Sequence, residues 1–252
     1  MANLQRYFIE LAYDGTRYHG WQMQPNAVTV QEVLDKALST VLRQPIETVG
    51  CGRTDTGVHA TEFFAHFTPR PTEGGVFDEL GLKNLVRSLN AVLPYDVAIK
   101  NIFPVNDEMH ARFSATLRSY QYYIHFNKDP FKHNYSWLLR YEPDIELMNT
   151  AARIIMEYTD FSCFSKSNTQ TKTNNCIISR AEWLRVKGGI VFHISADRFL
   201  RNMVRAVVGT LLMIGRKEIT PEGVREIVNS KDRGNAGTSV PACGLYLTEV
   251  KY

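Results

Sequence analysis

Between residues 50 and 60 the chain packs a carboxylate, a guanidinium and an imidazole among three glycines: Gly50-Cys51-Gly52-Arg53-Thr54-Asp55-Thr56-Gly57-Val58-His59-Ala60. Glycines let the backbone take positive φ and let a ligand approach the main chain, while the polar side chains supply the chemistry. On spacing alone this is a suggestive loop built on Asp55, Arg53 and His59, able to bring a carboxylate, a cation and an imidazole to one place. The same residues also suit a polar turn in which Thr54 and Asp55 bond their own backbone. Asp55-Thr56-Gly57 matches the triplet around an aspartic protease carboxylate, but that chemistry needs two carboxylates sharing a proton. This chain has one copy of the triplet, preceded by Gly52, Arg53 and Thr54 where the protease strand is apolar. An adjacent arginine also favours ionisation over proton sharing, so the protease reading is set aside.

A second concentration of charge lies between Arg198 and Gly215. Taken as one helix, it carries Arg198, Arg201 and Arg205 on one arc and Phe199, Leu200, Met203, Val204, Val207, Val208 and Leu211 on the other. Such an amphipathic helix offers its basic face to solvent or to a polyanion. His59 has no short-spaced histidine partner, and the four cysteines (Cys51, Cys163, Cys176, Cys243) stand singly. Neither a metal site nor a disulfide framework is indicated. A net charge of +3 permits a polyanionic partner without demanding one.

Positioning these groups falls to elements visible as periodicities. Tyr7, Ile9, Leu11 and Tyr13 alternate as a strand, and Val30, Val33, Leu34, Ala37, Leu38 and Val41 recur at helical spacing. Thr29 and Glu32 form a capping box before that helix. Residues 46–50 and the alternating Phe63, Ala65 and Phe67 predict two further strands. A helix carrying Leu82 to Leu93 stops at Pro94, and 97–103 closes the half as a strand. The order is β-α-β-β-α-β. The second half repeats it: a strand at Tyr120, Tyr122, Ile124 and Phe126, a helix with Leu147 to Ile155, a hairpin around Gly188-Gly189, the arginine helix, and a strand at 245–250. Thr220-Pro221 adds one helix start before that strand. Segments 69–78 and 165–175 are predicted loops. The expected fold is therefore α+β: two tandem split-βαβ (ferredoxin-like-derived) units, residues 1–105 and 106–252, with mostly antiparallel sheets backed by helices and a basic cleft between them.

With 252 residues and 44% hydrophobic content, the chain can bury a substantial core, so disorder is excluded. The segment MANLQRYFIELAYDG lacks an apolar run behind basic residues, and no stretch reaches the roughly 20 apolar residues of a membrane span. The expected location is cytoplasmic, with no membrane partner.

Further motifs run the length of the chain: Tyr13-Asp14-Gly15, Gly20-Trp21-Gln22-x-Gln24, Gly52-Arg53-Thr54-Asp55-x-Gly57-Val58-His59, Leu89-Asn90 with Leu93-Pro94, and Ala111-Arg112-Phe113-Ser114-Ala115-Thr116. Asp160-Phe161-Ser162, Phe199-Leu200 with Met203-Val204-Arg205, and Gly244-Leu245-Tyr246-Leu247 follow. In this ordered set the sequence resembles the bacterial tRNA pseudouridine synthase A family over nearly its whole length.

The resemblance implies an isomerase that detaches uracil from C1′, turns it and reattaches it through C5, with no cofactor and no metal. Asp55 matches the family's catalytic aspartate, whether that residue attacks the sugar, attacks the base or removes the C2′ proton. Arg205 matches an arginine beside it, a neighbour able to lower a carboxylate pKa by roughly 1 to 3 units. Tyr120 matches the tyrosine that stacks on the target base, whose uridine must leave its own stack; its alternation with Tyr122 and Ile124 equally suits core packing. Ser119 and Gln121 stand where the family often has arginines, which weakens a phosphate role at those two positions. Leu245 corresponds to an apolar wall of the uracil pocket or, more simply, to a buried strand leucine. Thr54, Gly57 and His59 belong to the substrate-binding loop, with His59 orienting it, touching RNA or serving structure. Arg17, Arg53, Arg112, Arg118, Arg198 and Arg201, with Lys166 and Lys172, are the expected RNA contacts. The implied partner is the anticodon arm of tRNA, at about positions 38, 39 and 40, where a base must be extruded before chemistry reaches it. A homodimer is implied as well. The alternative is a non-catalytic RNA-binding protein or tRNA chaperone on the same scaffold, against which the carboxylate at Asp55 argues, since pure binding of a polyanion needs none.

Overall fold

The computed structural model describes residues 5–70, 77–165 and 173–252. Two units are distinguished: one runs up to Ala115 and takes in Thr248–Tyr252, the other is Thr116–Leu247. Both are α+β, with antiparallel sheets dominating. No helix among the described residues is long and apolar enough to cross a membrane.

The first unit is built on β1 (Arg6–Tyr13), α1 (Val30–Leu42), β2 (Val49–Gly50), β3 (His59–Phe67), α2 (Glu79–Val92) and β4 (Val97–Val105). β1 lies between β3 and β4, antiparallel to both, and β2 pairs antiparallel with β3. Because β1 is central, residues of both its faces are buried: Tyr7, Phe8, Ile9, Leu11 and Tyr13. α1 starts where its cap predicts, with Thr29 Oγ1 accepting from the Glu32 N–H at 3.3 Å. α2 is capped by Asp78 and stops at Val92, two residues before Pro94. The Asn90 side chain then knits α2 to β4, donating to the Ile99 carbonyl and accepting from its N–H, both at 2.8 Å.

One buried carboxylate ties α1 to the chain ahead of β2. Asp35 Oδ1 accepts from the Thr48 N–H (3.0 Å) and hydroxyl (2.6 Å), and Gln31 Nε2 donates to the Thr48 carbonyl (2.7 Å). Burial, only partly offset by the two Thr48 hydrogen bonds, pushes Asp35 up to about 6.

The second unit comprises β5 (Leu117–His125), β6 (Trp137–Leu138), α3 (Ile145–Ile155), the hairpin β7 (Ile178–Val186) and β8 (Gly189–Ala196), α4 (Met203–Gly215), α5 (Gly223–Ser230) and the start of β9 (Leu245–Lys251). The strand order is β5-β8-β7, antiparallel throughout, with β6 parallel to β5. The hairpin turns at Lys187-Gly188, where Gly188 takes φ of +73°. α4 is the core element: 11 of its 13 residues are buried, so it has no wide solvated face and is apolar nearly all round.

That burial corrects the helix expected from Arg198. α4 begins at Met203, and Asn202 ahead of it stands in the left-handed region at φ of 66°. Arg198 and Arg201 therefore precede the helix, and the shared basic arc with Arg205 does not form. The strand expected over 46–50 shortens to β2, and β6 was not anticipated. α5 begins at Gly223, two residues beyond Pro221, although Thr220 Oγ1 still accepts from the Gly223 N–H at 3.3 Å. Residues 71–76 and 166–172 of the two predicted loops, with Lys166 and Lys172, lie outside the described residues.

Asp35 yields a pH test. Its folded pKa stands above the unfolded range, so its contribution to stability is complete below about pH 4 and is lost as pH rises through about 6. Asp35→Asn keeps an oxygen for both Thr48 donors with no charge to bury. Between pH 4 and 7.5, the stability of wild type relative to Asp35→Asn is expected to fall by about 1 to 3 kcal/mol in urea titrations. A difference that does not change with pH contradicts this placement.

Candidate functional site

The carboxylate loop of the first unit is held from below by main-chain contacts. Asp55 to Val58 form a turn closed by the Val58 N–H donating to the Asp55 carbonyl at 3.1 Å. Gly57 occupies its third position at φ of +78°, the conformation a glycine supplies in a type II turn. Just before it, the Thr54 carbonyl accepts from the Trp21 N–H at 3.4 Å, and the Thr54 hydroxyl lies 2.9 Å from the Tyr13 phenol. Gly20 packs so closely here that a Cβ would sit 2.2 Å from the Thr54 oxygen, and its φ is +83°. Gly15 makes the matching contact on the far side, a Cβ there falling 2.0 Å from the Val58 oxygen. Trp21, buried and stacked on Phe63 at 4.1 Å, fills the space beside Gly50. Asp55 itself is half-buried.

His59 is 2% exposed. Its Nδ1 lies 3.1 Å from the Gly15 N–H that it accepts and 3.1 Å from Asp14 Oδ1. The ring thus ties the loop to the end of β1. Arg53 is exposed at the loop's outer side. Arg112 is exposed as well, its guanidinium carbon 5.5 Å from the Phe113 ring centre. Arg17 is committed to Asp96 through its Nε at 2.8 Å, and the Tyr18 hydroxyl donates to the same carboxylate at 2.6 Å.

In the second unit Tyr120 sits early on β5, opposite Ile194. Its same-face neighbours Tyr122 and Ile124 are buried, whereas Tyr120 is half-buried and meets the Phe199 ring edge-on at 5.1 Å. Arg118, two residues earlier, is buried with Nη1 donating to the Asp197 carbonyl at 2.9 Å. Arg205 lies in the first turn of α4, where its Nε donates to the Val240 carbonyl at 2.7 Å and its own carbonyl accepts from the Val240 N–H. Val240 is in turn fixed by close packing of Gly237 and Thr238 on Gly209 of α4, where a Cβ would fall 2.0 Å from the Thr238 oxygen.

Burial raises the Tyr122 phenol and the Cys243 thiol, and the Arg205 charge opposes the rise at both. Arg205 bonds Val240, and the Tyr122 hydroxyl donates to the adjacent Pro241 carbonyl at 2.8 Å. Leu245, buried, opens β9 directly after this segment. Tyr122, Arg205 and the 240–245 segment form one cluster, while Arg201 is exposed ahead of α4. Among the described residues no three His, Cys, Asp or Glu side chains could together hold a metal ion.

Sequence reasoning did not foresee the parts played by Tyr13, Gly15, Gly20 and Trp21. Their motifs were visible, but the contacts that explain them join residues far apart in the chain. Val240 and Gly209 carried no signal beyond an apolar residue and a helical glycine.

A family model described as tRNA pseudouridine synthase matches residues 158–252, the stretch that carries Arg205, the 240–245 segment and β9. The class, tRNA pseudouridine synthase, is set by relatives that match over nearly the whole chain. A tRNA pseudouridine synthase A of Bacteroides thetaiotaomicron is 50% identical, covering 99% of this chain and 91% of that protein. Proteins of the same description from Parabacteroides distasonis and Bacteroides fragilis are 48% and 47% identical, each over 99% of this chain and 96% and 97% of their own length. The chain belongs to the tRNA pseudouridine synthase A family.

Gly20 gives the sharpest local test. Gly20→Ala must move Thr54 and also hold a strained φ, and is expected to lower unfolding free energy by about 2 kcal/mol or more in denaturant titrations. A loss below about 0.5 kcal/mol would mean that the contact yields freely.

Proposed function

We propose that this protein isomerises uridine to pseudouridine in tRNA, with Asp55 as its catalytic carboxylate. The observation that carries the reading is the placement of Asp55: a half-buried carboxylate in a turn whose backbone is clamped at its two ends by Gly20 and Trp21 on Thr54 and by Gly15 on Val58. Family membership supplies the class of reaction. The chemistry balances without an oxidant or reductant: the N1–C1′ bond breaks, a C5–C1′ bond forms, C5 gives up its proton and N1 gains one. A carboxylate serves it as nucleophile or base only if it stays in register with a base turned out of its stack.

In this reading Arg205 is the cation that serves Asp55, aimed by its bond to Val240. Tyr120 stacks on the uracil, as its half-exposed ring at the open end of a buried strand face allows, and Leu245 supplies an apolar wall. Thr54, Gly57 and His59 shape the loop, with His59 acting from beneath as its anchor. Arg53, Arg112 and Arg201, all exposed, contact RNA phosphates, which set affinity and orientation rather than rate, whereas Arg118 is buried against the Asp197 carbonyl and serves structure. The target is the anticodon arm, the protein a cytoplasmic homodimer, and each half a split-βαβ unit, one carrying the aspartate and the other the tyrosine and arginine. The strand orders β4-β1-β3-β2 and β5-β8-β7 support that last point.

Incubation of an unmodified tRNA transcript with excess enzyme tests the proposal. Wild type is expected to form pseudouridine in the anticodon arm, and Asp55→Ala to form none while binding the transcript within a few fold of wild type. Turnover retained by Asp55→Ala, read as pseudouridine content, would refute the assignment.

A further inference from the structure

The stretch after β5 presents an aromatic and basic surface that none of the roles above uses. Phe131 is 87% exposed and Tyr135 45% exposed. Exposure of this kind in a loose loop would mean little, but this loop is tightly built. Asp129 Oδ1 accepts from the Phe131 N–H at 2.9 Å, the Lys132 N–H donates to the Asp129 carbonyl, and the Tyr135 and Ser136 N–H groups both donate to the Lys132 carbonyl at 3.0 Å. Ser136 is anchored to His125 Nδ1 at 3.0 Å, and the Tyr135 carbonyl accepts from the Tyr246 hydroxyl at 2.8 Å. The backbone that carries Phe131 is therefore held by a closed set of hydrogen bonds, and its ring stands in solvent with Tyr135 part-exposed on the same loop.

The charges around it select the partner. Lys128 and His133 are exposed on the same loop, and Lys187 is exposed at the tip of the β7–β8 hairpin. Lys132 reaches that tip, its Nζ 3.9 Å from where a Cβ on Gly188 would sit. The one acid of the loop, Asp129, is engaged with the Phe131 N–H and with Lys132. A projecting ring among lysines suits single-stranded or looped RNA, where a base stacks on the ring and phosphates meet the cations. A second copy of the chain fits poorly, because a two-fold contact centred on Phe131 would bring these lysines against themselves. The patch is also remote from Tyr120 within its unit: at about 3.3 Å per residue, the strand from Tyr120 to His125 spans roughly 17 Å.

We propose that Phe131, with Lys128 and Lys132, forms a second tRNA contact, a stacking platform that grips an unpaired nucleotide away from the uridine being isomerised. The inference rests on the tRNA reading above. It belongs to binding and not to chemistry, so its loss acts on affinity alone.

The test compares wild type, Phe131→Ala, Phe131→Trp and a Lys128→Ala/Lys132→Ala double variant, all as full chains. Each is titrated with unmodified tRNA transcript at several salt concentrations, with the single-turnover rate at saturating enzyme and the particle mass measured in parallel. Phe131→Ala is expected to bind about five- to a hundredfold more weakly, Phe131→Trp nearly as wild type, and the double variant to lower the salt slope by about one per lysine. Saturating rate and mass are expected to stay unchanged. Wild-type affinity in Phe131→Ala, in a protein that still modifies tRNA, overturns this inference alone. A changed particle mass assigns the patch to a second copy and overturns it too. Failure of wild type to bind or modify tRNA overturns the reading beneath it.

Discussion

The Thr54 carbonyl and the Gly20 α-carbon approach so closely that no side chain could stand between them, and the rest of the first unit is arranged around that contact. Asp55 is the next residue. Its backbone is fixed on one side by Gly20 and Trp21, on the other by Gly15 against Val58, and its turn is completed by a glycine at positive φ. A short side chain has only two rotatable bonds, so fixing this backbone confines the carboxylate to a few staggered positions. Narrowing the search in this way is what positioning catalysis requires.

Each unit holds its proposed functional group by the same device, close backbone packing at glycine. In the second unit Gly209 admits Thr238, which places Val240, which takes the Nε of Arg205. An arginine in the first turn of an otherwise buried helix would be costly if its donors went unmet. The Val240 bond answers part of that demand and fixes the direction of the guanidinium. Burial of Tyr122 and Ile124 further along β5 steadies the strand, while Tyr120 at its start keeps part of its ring exposed.

Much of this was legible in the residues. The alternation of β1 and β3, the Thr29 cap of α1 and the stop of α2 ahead of Pro94 followed from local rules that the packing did not override. Asp55 drew attention as a carboxylate among glycines and polar residues, although the same pattern suited a plain polar turn, and only the match to motifs along the whole chain separated the two. The start of α4 was illegible for a physical reason. Arg198 to Arg205 has helical spacing throughout, yet Asn202 tolerates the left-handed region and breaks the run. Once α4 is buried on nearly every side, amphipathicity no longer marks its ends. The glycine clamps were hidden because they pair Gly20 with Thr54 and Gly15 with Val58 across the fold, and β6, with two residues, is too short to show a period.

The central claim is that the position of one carboxylate, and not merely its presence, carries the chemistry. Asp55→Glu tests it most directly, since it keeps the charge and adds one methylene to a backbone that cannot shift to compensate. Under saturating enzyme with a tRNA transcript, the single-turnover rate of pseudouridine formation is expected to fall by about a hundredfold or more, with tRNA affinity unchanged. A rate within a few fold of wild type would contradict the account, because it would show that the loop leaves its carboxylate free to find the substrate.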